Sequence, residues 1–167
     1  MRRSLTALII AFAATFVCFI PAGDGAAAAI SKRRTRVITL QRTICFGTCP
    51  VYALTIYSDG RVEYVGKRFV RKTGSATSRI TRKQLEELVM EFTNIYYFNL
   101  PASIEPGSKH CPQGATDHPS AITSLTWQGK SHSINHYHGC RGSNTLDLLR
   151  KLEDKIDAAV NVTQWTK

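Results

Sequence analysis

The chain has 167 residues and a formal net charge of +10. That length leaves room for one domain with one core rather than several. So basic a chain favours acidic partners (anionic polymers, lipid headgroups or acidic proteins), while charge by itself sets no fold.

The first stretch, "MRRSLTALIIAFAATFVCFIPAGDGAAAA", has two arginines, an apolar run from Leu5 to Ile20 and small residues up to Ala29. This is the n-, h- and c-region order of a secretory signal peptide, expected over residues 1–29. Pro21 and Gly23 close the run before it reaches the roughly 20 apolar residues that cross a bilayer, and no second segment comes close. Cys18 follows Val17, whereas lipidation sites need a small residue there. Export to the periplasm or the medium is the expectation, with residues 30–35 as a flexible basic lead-in and 36–167 as a single α+β domain. After cleavage Cys45, Cys49, Cys111 and Cys140 remain. An even count in an exported chain reads first as two disulfides.

"RVITLQRT" predicts a first strand, and "CFGTCP" a tight reversal permitted by Gly47 and Pro50. "VYALTIYSDGRVEYVG" predicts a hairpin whose register can be argued. A two-residue Asp59-Gly60 turn would place Glu63 opposite Ile56 and mix charge into the apolar face. A three-residue Ser58-Asp59-Gly60 loop with Gly60 left-handed pairs Ile56 with Val62 and Leu54 with Tyr64, and keeps that face apolar. "KRFVRKTGSATSRI" reads as a basic, edge-like strand. In "TRKQLEELVMEFTNIYYF", Thr81 and Gln84 have capping-box spacing, and Leu85, Leu88, Val89, Phe92, Ile95 and Tyr96 form one helical stripe. The loop "NLPASIEPGSKHCPQGATDHPS" has no periodicity and is long enough to need pinning or a function. A second hairpin turns near Gly129, and a second helix buries Leu149, Leu152, Ile156 and Val160. Trp165 in the tail is expected to pack back. These patterns predict an α+β fold, with an antiparallel sheet of about five to six strands and two helices on one face.

The cysteines allow three connectivities. Local pairing, Cys45 with Cys49 and Cys111 with Cys140, suits the hairpin that brings the second pair together. Redox chemistry at "CFGTC" is disfavoured, because three residues intervene and a strand-like segment follows instead of a helix N-terminus. For metals, His136 and His138 point the same way on a strand, and His110 sits beside Cys111. Oxidised thiols and the absence of Cys-x-x-Cys spacing weigh against that alternative. Ser120, Asp117 and His118 are too close in sequence for a triad, and neither a nucleophile elbow nor a phosphate loop is present. No catalytic residue and no cofactor is assigned, so the chain reads as a non-enzyme. Lys67, Arg68, Arg71 and Lys72 are the candidates for contact with an anionic envelope component or acidic protein, by charge and without sequence-specific nucleic-acid readout. On a strand, Lys67, Phe69 and Arg71 would share one face.

The segments "RTICFGTCPVYALTIYSDGRVEYVGKRFV", "TDHPSAITSLTWQGKSHSINHYHGC" and "LRKLEDKIDAAVNVTQW" resemble an uncharacterised family of bacterial, often exported proteins, the domain of unknown function 6438. "CFGTCPVY" is the most specific piece of that resemblance, which spans nearly all of residues 36–165. It implies one exported domain and carries over no functional residue. The loop "KHCPQGATDH" is longer and more basic than the family pattern implies. The resulting expectation is an exported, disulfide-stapled binding module, with a metal-binding or thiol-redox protein as the alternative.

Overall fold

The computed structural model describes residues 35–167; the expected leader (1–29) and the lead-in up to residue 34 lie outside the described residues. Strands β1 (Arg36–Arg42), β2 (Val51–Tyr57), β3 (Arg61–Arg68) and β4 (Gly74–Arg79) follow one another antiparallel. Helix α1 (Arg82–Asn94) comes next, then a 3-10 turn at Tyr97–Asn99 and two short strands, β5 (Ser103–Ile104) and β6 (Gln113–Gly114). The hairpin β7 (Ser120–Trp127) and β8 (Lys130–Tyr137), the short β9 (Cys140–Arg141), helix α2 (Asn144–Ala159) and a final turn α3 (Thr163–Thr166) complete the order. The main sheet runs β4-β3-β2-β1-β7-β8-β5, and β6 pairs with β9 in a second, small sheet.

The β2–β3 hairpin has the register that burial demands: Ile56 faces Val62, Leu54 faces Tyr64, and Gly60 carries φ +79°. Alternate residues of the central strands then point one way. Ile38, Leu40, Leu54, Ile56, Val62, Tyr64, Leu125 and Ile134 are all buried on that face. Against them lie Leu85, Leu88, Val89 and Phe92 of α1 and Leu146, Leu149, Leu152 and Ile156 of α2. Thr81 and Gln84 form the capping box that starts α1, and Ser143 caps α2. Trp165 packs back, its ring stacked 4.6 Å from that of Tyr64. Among the described residues no helix is long and apolar enough to cross a membrane.

The fold is α+β, with seven strands in the main sheet in place of the expected five to six. The addition is β5, two residues that pair parallel to β8 at Ile104 and His136 and leave no periodic signal. The long loop is pinned by that ladder, by β6 on β9, and by Cys111–Cys140 (S–S 2.03 Å). Cys45 and Cys49 are likewise at bonding distance, 1.97 Å. Two expected strand and helix ends move. Helix α1 stops before Tyr96, which is left-handed and exposed, so Tyr97 takes the buried place and bonds Thr123 at 2.8 Å. The basic segment is not a strand throughout: β3 ends at Arg68, Phe69 is left-handed (φ 52°), and residues 69–72 turn. The alternation expected for Lys67, Phe69 and Arg71 therefore stops at Arg68. Val70 packs on the core, and Phe69 is left 42 % exposed.

Candidate functional site

One cross-strand row of the helix-facing side is polar where its neighbours are apolar. Tyr52 on β2 lies opposite Arg42 on β1, Arg42 opposite Ala121 on β7, and Ala121 opposite His136 on β8. The small Ala121 leaves space between the two long polar side chains. Glu153 enters that space from α2, on the same stripe as Leu149, Leu152 and Ile156, and is fully buried.

Both oxygens of the Glu153 carboxylate accept hydrogen bonds. Oε1 accepts from His136 Nδ1 at 2.7 Å; Oε2 accepts from His138 Nε2 at 2.7 Å and from Arg42 Nη1 at 3.3 Å. Arg42 also donates to Asp157 Oδ2 from Nη2 (2.7 Å) and Nε (3.2 Å), while the Tyr52 hydroxyl donates to Asp157 Oδ1 at 2.7 Å. Because the ionised carboxylate only accepts, each histidine presents an N–H to it. Burial pushes Glu153 up, but the hydrogen bonds and charge from His136 and His138 outweigh it and hold the group down at about 2. For Asp157, burial raises the carboxyl above its ordinary value, with Arg42 and the Tyr52 hydroxyl opposing. Burial also lifts the Tyr52 phenol, helped by the charge on Asp157. Arg42 is held charged: burial works against the cation, and Asp157, Tyr52 and Glu153 prevail.

His136, His138 and Glu153 are also the described residues whose donor atoms gather closely enough, within 4.8 Å, to hold a metal ion. His110 is outside that group, and His132 instead bonds the Leu100 carbonyl. The four cysteines sit at bonding distance in pairs, so no thiolate joins the histidines. An ion at Glu153 would replace both N–H···O bonds and stand beside the Arg42 guanidinium. The row's chemistry is thus first that of a buried ion network clamping α2 to the sheet, with His136 Nε2 buried and without a hydrogen-bond partner among the described residues. Its sequence signal is Glu153, a carboxylate inside the α2 apolar stripe, with Arg42 on the inward parity of β1. Neither was singled out from sequence.

The surface at the same end of the sheet has a different character. Antiparallel pairing of Val51 with Arg68 brings the β1–β2 loop and the β3–β4 turn to one end of the strands. At the end of β3 and on the turn that follows it, Lys67, Arg68, Arg71 and Lys72 are all exposed, and among the described residues none of the four is ion-paired with a carboxylate. The Arg68 guanidinium lies over the Phe69 ring at 5.1 Å. The backbone of this turn is held: Lys72 N donates to the Trp165 carbonyl (2.9 Å), the Tyr64 hydroxyl donates to the Lys72 carbonyl (3.1 Å), and Arg71 donates to the Gln164 carbonyl. The loop is held as well, by Cys45–Cys49 and by Phe46 N donating to the Asp117 carbonyl at 3.1 Å. Its tip leaves Phe46 90 % and Ile44 52 % exposed.

No curated protein matches the chain. The profile of a domain of unknown function (DUF6438) matches residues 36–160, which include the cysteine loop, the basic turn and the buried ion network, and the chain belongs to that family.

Proposed function

We propose that the protein is an exported, non-enzymatic binding module whose basic β3–β4 turn meets an anionic partner, and that residues 36–167 act as one domain behind a cleaved leader. The observation that carries this reading is the set of four exposed cations within six residues, Lys67, Arg68, Arg71 and Lys72, at a turn tied down at Lys72 and Arg71. Cations that neutralise nearby acids contribute little to binding; these four have no acidic partner among the described residues, so no neighbouring carboxylate cancels their charge. Two cysteine pairs at bonding distance suit an oxidising setting outside the cytoplasm.

The test is elution from an anionic polymer such as immobilised heparin across a salt gradient. Reversing the four charges (K67E, R68E, R71E, K72E) should lower affinity at fixed salt by roughly tenfold or more, because each lost cation also removes a released counterion. Reversing four exposed lysines elsewhere, Lys83, Lys109, Lys130 and Lys151, is the control. Equal losses in the two variants would leave only net charge at work and end the proposal.

A further inference from the structure

The cations at the β3–β4 turn share their end of the sheet with exposed apolar side chains. Phe46 and Ile44 project from the β1–β2 loop, and Phe69 from the turn itself. In the order β4-β3-β2-β1 the two connections are adjacent, so their centres lie about two strand spacings, roughly 10 Å, apart. That end of the sheet therefore carries Ile44, Phe46 and Phe69 as well as Lys67, Arg68, Arg71 and Lys72. Several large apolar side chains left exposed near one another mark an interaction site more than a lone one would. A left-handed phenylalanine is strained as well, and such outliers concentrate where function holds them.

Resting on the reading above, we propose that the anionic partner is a lipid surface, with Phe46, Ile44 and Phe69 entering the headgroup–acyl boundary while the four cations lie against anionic headgroups. A soluble acidic polymer would use the charges and leave the aromatic rings in water; a bilayer interface uses both. Neither signal alone holds a protein at a membrane, whereas one shallow apolar insertion plus a basic cluster does. Rigidity favours insertion too. The loop is cross-linked by Cys45–Cys49 and tied to Asp117, and the turn is tied to Trp165, so little ordering entropy is lost on docking.

Co-sedimentation with vesicles of neutral phosphatidylcholine, and of phosphatidylcholine mixed with anionic phosphatidylglycerol, tests this on the protein with both disulfides formed. Binding to the anionic vesicles alone is expected. The F46S/F69S variant should bind them roughly tenfold to a hundredfold more weakly yet elute from heparin at the same salt as the parent. The four-charge reversal should lose both. Heparin binding with no vesicle binding, or vesicle binding undiminished in F46S/F69S, overturns the lipid assignment and leaves the anion-binding reading standing. Loss of the turn's specific contribution to heparin binding removes that reading instead. Thermal unfolding of each variant confirms that the fold is kept, and F46S alone, at a fully exposed position, supplies the comparison if F69S disturbs the turn.

Discussion

Replacing Glu153 by glutamine removes a charge and almost no volume, so it isolates the electrostatics of the buried row. In the folded protein the Glu153 carboxyl is held at about 2, against an ordinary 4.5. That gap corresponds to about 3 kcal/mol of stability from the ionised group. The sign follows from the lowered value: the contribution is complete above pH 4.5, shrinks as pH falls from there toward 2, and is gone below. Glutamine mimics the protonated acid, so E153Q should be about 3 kcal/mol less stable than the parent at pH 7. At pH 3 the difference should shrink to about 1 kcal/mol. Asp157, raised by burial, works in the opposite sense, its penalty relieved as pH falls; being present in both proteins, it drops out of the difference. Urea unfolding under oxidising conditions at pH 7 and pH 3 measures both numbers. Equal differences at the two pH values, or no loss at pH 7, would refute the claim that His136, His138 and Arg42 stabilise the carboxylate.

The two disulfides should be unequal. Closing the 29-residue separation of Cys111 and Cys140 is worth roughly 3–4 kcal/mol on the chain-entropy argument, and the 4-residue separation of Cys45 and Cys49 about 2, so the C111S/C140S pair should lower Tm further than C45S/C49S. The G60A variant should cost roughly 2–3 kcal/mol by chemical denaturation, since Gly60 is at φ +79° and a Cβ there would stand 2.4 Å from the Ile80 carbonyl oxygen. A loss below half a kcal/mol would show that the three-residue loop can readjust, and with it that the hairpin register is less firmly held.

Agreement between residue pattern and structure is closest where the interaction is local. The register of β2 and β3 follows from one choice, whether Glu63 or Val62 faces Ile56, because a one-residue slip would invert every side chain. The Thr81–Gln84 box and the stripes of α1 and α2 are of the same kind, three- and four-residue repeats that a helix turns into a face. The apolar stripe of α1 runs on through Ile95 and Tyr96 past the end of the helix, because such a stripe does not register a left-handed conformation; Tyr96 adopts one, and Tyr97 is rotated into the core in its place.

The polar row is the opposite case. His136 and His138 were legible as a pair two apart on a strand, but their partner Glu153 is 17 and 15 residues away, and Arg42 more than 100. What decides their chemistry is the side-by-side order of β2, β1, β7 and β8, which puts Tyr52, Arg42, Ala121 and His136 in one row beneath α2. The same order brings Phe46 and the basic turn to one end of the sheet. Local spacing, then, determined which residues turn inward and where the helices begin. Only the tertiary arrangement decided which charges are buried against one another and which are left facing out, because desolvation depends on neighbours that the chain brings together only once the sheet has formed.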